Sequence, residues 1–321
     1  MRAVIAQDKQ PVLVDIPQPE PAADEILVKV HATALNRADL LQVGGGYPPP
    51  PGAPDTLGLE LAGEVAAVGA DVTTFTAGQR VMALVGGGGY AEYATVVAAH
   101  ALPTPDNLTD VQAGALMEAF LTAYTNMFDM GRLADGETVL IHAGASGVGL
   151  AAVQMAKHIG ATVIVTASAG KHDLCRDMGA DMCIDYKTEN FAERIAAEHE
   201  PGVDLVLEMV GAPYWDDNIR VLNKWGRLVF IGLMGGAKKE INFGQIMGKR
   251  LSIMGSTLRN RTYERKADLI SRFGEWALPL FADGTLKTTV WKSMPLEQVA
   301  EAHDLMKSNA NAGKIVLTIT E

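Results

Sequence analysis

Two cysteines, Cys175 and Cys183, are all that the 321 residues contain. Two thiols cannot build a disulfide framework, so the fold must rest on packing, with both cysteines expected as small buried hydrophobes in a reducing compartment. No stretch approaches about 20 uninterrupted apolar residues, so no membrane span is expected. The opening MRAVIAQDKQ lacks the apolar core and cleavage region of a secretory signal, and a cytoplasmic location is the expectation. Positive charge is scarce too. Lys and Arg number 27 against 38 Asp and Glu, a formal net charge of −11. Such a chain repels nucleic-acid phosphates and anionic lipid heads, which argues against nucleic acid or membrane as a partner. The pairs Lys238-Lys239 and Lys249-Arg250 are too short to reverse that balance.

What is present suits two ordinary domains. Up to about residue 118 the chain reads mostly as short strands: 3–6, 26–32, 62–68, 80–84 and 90–97. Gly, Pro and Asp turn signals separate them, as in a small barrel or sandwich. Residues 44–54, GGGYPPPPGAP, form a surface loop, because proline removes donors and fixes φ. From 119 the pattern changes. A helix over 119–130 leads into alternating strands (138–142, 162–166, 183–185, 203–209, 227–231) and helices (149–159, 171–178, 190–198, 219–222). That alternation is the mark of parallel βαβ units. After 260 come a helix (263–281), a strand (288–291), a helix (297–308) and a strand (314–320), expected to rejoin the first domain. The predicted fold class is α/β: a β-rich domain formed by 1–118 and 260–321, and a doubly wound parallel-sheet domain over 119–259.

The strongest chemical signal is the run Val139-Leu140-Ile141-His142-Ala143-Gly144-Ala145-Ser146-Gly147-Val148-Gly149. A buried strand enters glycines and then a helix. Such a turn lets backbone N–H groups and the positive helix end meet a pyrophosphate. The same glycines could serve a plain tight turn, but the flanking βαβ units favour dinucleotide binding. After the second strand comes Thr166-Ala167-Ser168-Ala169-Gly170-Lys171-His172, with no acid before Asp173 to bind a ribose 2′-OH. Ser168 and Lys171 would instead accept a 2′-phosphate, so NADPH is favoured over NADH. The alternative for Lys171 is a solvated lysine at a helix start.

With these residues in place the chain resembles the medium-chain dehydrogenase/reductase superfamily. Its likeness is to the zinc-free quinone oxidoreductases of the ζ-crystallin type, and within them to the p53-inducible subgroup. The residues that carry this are Asn36-Arg37-Ala38-Asp39, Tyr47-Pro48-Pro49-Pro50, Gly58-Leu59-Glu60-Leu61-Ala62-Gly63, Gly78-Gln79-Arg80-Val81 and Leu121-Thr122-Ala123-Tyr124. Further on they are the glycine turn, Ile231-Gly232-Leu233-Met234-Gly235-Gly236, Gly255-Ser256-Thr257-Leu258-Arg259 and Gly313-Lys314-Ile315-Val316-Leu317. The resemblance implies a GroES-like catalytic domain, a Rossmann domain, a cofactor in the cleft between them, and a homodimer. It also implies that Tyr47 and Asn36 lie near the nicotinamide, and that Thr122 and Ser146-Gly147-Val148 face the phosphates. Ser168, Lys171 and Tyr186 match the 2′-phosphate site. Gly211, Gly232-Leu233-Met234 and Ser256-Thr257-Leu258 match contacts around the nicotinamide half, and Asn311 a C-terminal contact. The segment after Thr166 is one residue shorter than the usual form.

Zinc-dependent relatives need Cys, His and acid ligands. Asn36 stands where the first cysteine would be and Leu59 where the histidine would be, and residues 80–120 lack the cysteines of a structural zinc lobe. Glu60 alone is not a metal site, and its expected role is to pair with a base or an amide. Without a Lewis acid, alcohol oxidation is a poor fit. A quinone takes hydride more readily because the charge delocalises, and a conjugated C=C bond is the alternative acceptor. Tyr47 and Asn36 are the candidates to orient substrate, with Tyr47 or water as proton source; Tyr47 could equally be a loop anchor. A protein that holds NADPH without turnover is a third reading. For the dimer edge the candidates are 227–231 and 251–254.

Overall fold

The structure is a computed structural model that describes residues 1–319. Its chain opens with a hairpin, β1 (Arg2–Gln7) and β2 (Gln10–Asp15), in which Gln7 faces Gln10. The two-residue turn puts Asp8 and Lys9 at φ 49° and 59°, the left-handed pair that matches strand twist. Next come β3 (Glu25–Ala34), α1 (Arg37–Val43), β4 (Glu60–Val68), β5 (Arg80–Leu84), β6 (Tyr93–Val97) and β7 (Ala101–Pro103). A short helix α2 (Asp110–Ala113) precedes α3 (Met117–Tyr124), which runs on into a π-helical turn over Thr125–Met130.

The parallel region follows: β8 (Thr138–Ile141), α4 (Gly147–His158), β9 (Thr162–Ala167), α5 (His172–Asp177), β10 (Met182–Asp185), α6 (Phe191–Glu198) and β11 (Val203–Glu208). Then come α7 (Trp215–Val221), β12 (Leu222–Phe230), α8 (Phe243–Lys249) and β13 (Ser252–Gly255). Last are α9 (Tyr263–Ala282), β14 (Val290–Pro295), α10 (Val299–Lys307) and β15 (Lys314–Thr318). Of the strand expected over 314–320, residue 320 lies outside the described residues.

Two compact units divide at Leu121/Thr122 and Thr257/Leu258. The first combines Met1–Leu121 with the stretch from Leu258 onward. Its sheet runs β14-β15-β3-β4-β5-β7, with β6 also paired to β3. Strand β3 is therefore central, and its register places Ala34 opposite Val316 of β15. The second unit, Thr122–Thr257, is a six-stranded parallel sheet in the order β10-β9-β8-β11-β12-β13. This is the doubly wound order of a Rossmann fold. The chain departs in opposite directions from β8 and β11, and ligands bind at such a reversal, outside the carboxyl ends of the strands. Strands β8 and β11 are buried on both faces, which is why Thr138–Ile141 and Leu205–Leu207 read as unbroken apolar runs.

Several expectations shift. The helix expected over 219–222 ends at Val221, because Leu222 already pairs with Val203 as the start of β12. The segment 227–231 cannot be a sheet edge: β12 is paired on one side with β11 and on the other with β13. The strand expected from 90 starts at Tyr93, since the backbone of Tyr90 bonds instead to Val4 and Leu57.

A Cβ on Gly144 would sit 2.5 Å from Cβ of Val165 on β9. That glycine is demanded by strand packing before any ligand arrives. Gly144→Ala should therefore lower stability by about 1–3 kcal/mol, the usual cost of overpacking. Urea denaturation reads this, and an unchanged midpoint would show that the turn yields.

Candidate functional site

In the second unit the expected cofactor residues gather at the carboxyl ends of the parallel strands. Ser146 caps α4, and its hydroxyl accepts from the N–H of Gly149 at 3.0 Å. The N–H groups of Gly147 and Val148 then lie in the first turn, where a helix offers no internal acceptor. Gly149 packs as tightly as Gly144: its Cβ would meet the carbonyl oxygens of Ala143 and Gly144 at 2.5 Å. Nearby, Ser256 Oγ donates to Asn126 Oδ1 at 2.6 Å, and Asn126 Nδ2 donates to the Thr122 carbonyl at 2.7 Å. The π-turn thus ties together Thr122 and Ser256. Thr257 is exposed beside them.

Gly211 has φ 96°, and a Cβ there would lie 2.4 Å from the Gly236 carbonyl oxygen. Its N–H donates to Glu208 Oε1 at 2.9 Å. The loop after β12 docks on this turn, Met234 N–H to the Met209 carbonyl and Gly235 N–H to that of Val210. The side chains of Leu233 and Met234 are left half exposed around Gly232.

Behind the turns lies a fully buried polar set. His142 Nε2 meets Asn218 Oδ1 at 2.7 Å and its Nδ1 meets Thr166 Oγ1 at 3.0 Å. Asn218 Nδ2 donates to Glu208 Oε2, so its Oδ1 must accept, and His142 is the Nε2–H tautomer. Burial lowers the imidazole pKa and keeps it neutral. These groups fix the ends of β8, β9 and β11 against one another.

Ser168 begins a 3-10 turn, Ala169–Lys171, at the end of β9. Burial, and then the neighbouring Lys187, lowers the Lys171 pKa. Two ammonium groups therefore share this corner, and Tyr186 stands half exposed next to Lys187. The carboxylate of Asp185 is occupied locally, by Lys187 N–H at 3.2 Å and the Thr188 hydroxyl at 3.0 Å. The donor set fits a nicotinamide dinucleotide: bare N–H groups at the turn, with a hydroxyl and two lysines at the corner. Sequence reasoning passed over Lys187, which lies in the turn after β10, beyond the segment usually searched.

In the first unit a second buried network forms around Lys314. Its ammonium donates to the Leu35 carbonyl (2.8 Å), Asn36 Oδ1 (2.6 Å) and Glu60 Oε1 (2.8 Å). Asn36 Nδ2 donates to Glu60 Oε1 at 2.9 Å and to the Ala34 carbonyl at 3.2 Å. Both amide hydrogens of Asn36 are thus used. Glu60 Oε2 accepts the Glu118 N–H at 2.9 Å. Glu60 is paired with a base and an amide, as the sequence suggested. Asp39 caps α1 by accepting the Asn36 N–H at 2.7 Å and also accepts the Tyr90 hydroxyl at 2.9 Å. Burial raises its pKa to about 6.

Tyr47 is partly buried. Its ring lies under the Arg259 guanidinium, 5.3 Å from the centroid, and its carbonyl accepts from Arg259 Nη1 at 3.3 Å. Leu258 is buried in this unit, and Asn311 donates to the Gly313 carbonyl at 2.8 Å. The zinc donors of the metal-dependent relatives have no equivalent. Asn36 is committed to Lys314 and Glu60, Leu59 lies in the core, and Glu60 is neutralised by an ammonium. Among the described residues no three His, Cys, Asp or Glu side chains gather as a metal group. The donor set does not fit zinc.

A GroES-like unit joined to a Rossmann unit with a phosphate-type turn is the fold of an oxidoreductase. The chain matches the family description "Alcohol dehydrogenase GroES-like domain" over residues 22–106 and "Zinc-binding dehydrogenase" over 147–272. It is 33% identical to the rat synaptic vesicle membrane protein VAT-1 homolog over 314 residues, 93% of this chain and 78% of that protein. It is 32% identical to mouse quinone oxidoreductase over 312 residues, 95% and 92% of the two. Escherichia coli quinone oxidoreductase, solved with NADPH, superimposes with a TM-score of 0.89 at 30% identity, covering 99% of each chain. CurK enoyl reductase does so with 0.88 at 27%, again over 99% of each. The chain belongs to the medium-chain dehydrogenase/reductase superfamily. No helix among the described residues is long and apolar enough to cross a membrane.

Lys314→Met would strand the buried Glu60 carboxylate. A loss of about 3–5 kcal/mol is expected, as when one partner of a buried pair is removed. Lys314→Met with Glu60→Met should cost less than the sum of the two single changes. Denaturation of the three variants checks this, and strict additivity would show the pair uncoupled.

Proposed function

We propose that this oxidoreductase passes hydride from NADPH to a quinone without zinc, as in the p53-inducible quinone oxidoreductases its motifs resemble. The observation that carries the reading is the corner of Ser168, Lys171 and Lys187 beside a helix-capped glycine turn. One ammonium suits any anion, but two cations and a hydroxyl beside the end of β9 favour a 2′-phosphate. The bound cofactor supplies a hydride; the chain's residues hold and orient it. Thr122, Gly144, Ser146, Gly147, Val148 and Gly149 would carry the phosphates. Gly211, Gly232, Leu233, Met234, Ser256, Thr257, Leu258 and Asn311 would border the rest. Tyr47 would orient the acceptor. Asn36, with its amide taken up by Lys314 and Glu60, would act as a positioning residue.

The likeness to mouse and E. coli quinone oxidoreductases supports the quinone, and the likeness to CurK supports a second reading, reduction of a conjugated C=C bond. Both acceptors delocalise the incoming charge, so neither requires a metal. A cytoplasmic homodimer completes the proposal, with β13 as the edge that pairs with a second copy. Sedimentation as a monomer at micromolar concentration would reject the dimer.

Titration should show NADPH binding at least tenfold tighter than NADH. Lys171→Glu should weaken NADPH by about 10–100-fold, roughly 1.4–2.7 kcal/mol, and leave NADH within a few fold. Equal loss for both would remove Lys171 from the phosphate site. Turnover of 1,2-naphthoquinone against an enone separates the two readings. Tyr47→Phe with unchanged turnover would remove its hydroxyl from the chemistry.

A further inference from the structure

Sequence alone leaves two roles open for Tyr47, loop anchor or substrate contact. In the first unit its main chain does the anchoring, and its hydroxyl is free. Tyr47 opens the run Tyr47-Pro48-Pro49-Pro50-Pro51-Gly52-Ala53-Pro54, in which five residues are prolines and carry no N–H. The run can do little to hold itself, and its backbone bond from Ala53 N–H to the Pro50 carbonyl, 3.0 Å, lies at the far end. Packing fixes that end. A Cβ on Gly86 would lie 3.2 Å from Cβ of Ala53, and one on Gly87 would lie 2.6 Å from the Pro54 carbonyl oxygen. The loop 86–89 therefore accepts the prolines only because it lacks side chains.

Arg259 fixes the tyrosine end. It is 3% exposed. Its Nε donates to the Gly86 carbonyl at 2.8 Å and its Nη1 to the Tyr47 carbonyl at 3.3 Å. Its guanidinium also lies over the Tyr47 ring, 5.3 Å from the centroid. One planar fork thus bridges two loops and covers a ring face. An ammonium, a point charge on a flexible stem, cannot bond both carbonyls and lie flat on the ring as well. No carboxylate among the described residues pairs with Arg259, so its charge is left for the carbonyls and the ring. The Tyr47 side chain is half-buried, and its hydroxyl has no hydrogen-bond partner among the described residues.

Resting on the reading that Tyr47 orients the acceptor, we propose that Arg259 is the positioning residue that aims Tyr47 at it. The guanidinium pins the Tyr47 carbonyl to the glycine loop and lies against the ring. The side chain is thereby held while its hydroxyl stays free to donate to an acceptor oxygen. A tyrosine on an untethered loop would sample several staggered rotamers. Ordering it would then cost binding energy each time an acceptor arrived, and ordering it beforehand removes that cost. Placement matters because a shift of about 1 Å can cost about 100-fold in rate. Arg259 acts through Tyr47 and not on the acceptor.

The test combines amide hydrogen exchange with steady-state kinetics using NADPH and 1,2-naphthoquinone. It compares wild type, Arg259→Met, Arg259→Lys, Tyr47→Ala and the double variant of Tyr47→Ala with Arg259→Met. In Arg259→Met the amides of 44–47 should exchange about tenfold faster, while those of Thr122–Thr257 stay unchanged. Its acceptor kcat/KM should fall by about 10–100-fold, chiefly through KM, with NADPH affinity unchanged. Arg259→Lys should recover little of that loss. Tyr47→Ala should lose a similar factor, and the double variant no more than Tyr47→Ala alone. Losses that multiply in the double variant, unchanged loop exchange, an unchanged acceptor KM in Arg259→Met, or full rescue by lysine overturn this assignment alone. Should Arg259→Met not fold, Arg259→Lys takes its place in the same cycle. Tyr47→Ala with wild-type kinetics overturns the reading of Tyr47, and wild type without turnover of any quinone or enone overturns the functional reading. This assignment falls with either.

Discussion

One ammonium group organises the first unit. Lys314 begins the last strand, yet its three hydrogen bonds end on Leu35, Asn36 and Glu60, residues more than 250 positions earlier. A charge this deep is tolerable only when it is paired and saturated with acceptors. The pairing fixes more than a salt bridge. It sets the register of β15 against β3, holds the amide of Asn36 at the start of α1, and leaves the second oxygen of Glu60 to seat α3.

The second unit solves a similar problem with different chemistry. Glu208 is as buried as Glu60, but its partners are neutral: the N–H of Gly211 and the Asn218 amide, backed by an uncharged imidazole at His142. The carboxylate serves the backbone there, drawing the turn after β11 into shape. Backbone N–H groups at the nearby helix start then stay outside any internal network. The two buried acids thus divide the labour: one locks a junction of distant segments, the other shapes a local turn.

Much of the architecture was legible in the sequence because parallel strands buried on both faces must read as apolar runs, as Val139–Ile141 and Leu205–Leu207 do. What escaped notice had its signal diluted. Helix α8 carries two glycines and β7 is three residues. Helix α1 was legible in principle, since Asn36 and Asp39 form a capping box, but the four residues Asn36–Asp39 read as a motif and not as a helix start. The glycine turn could be recognised because its logic is local. Lys314 appeared in the closing motif without a visible purpose, because its partners are remote in the chain.

The discontinuity of the first unit has a consequence for how the chain reaches its native state. Thr122–Thr257 is contiguous, and its strand pairings need only what lies within that stretch, so it can complete itself while the ribosome is still extending the chain. The β-rich unit cannot. Until β15 emerges, Glu60 and Asn36 have no cation to meet, and the flank of β3 that receives it stays unzipped. Long-separated contacts of this kind are slow to close. Translation therefore imposes an order on maturation: the contiguous parallel-sheet unit can finish first, and the β-rich unit closes only once Lys314 has emerged.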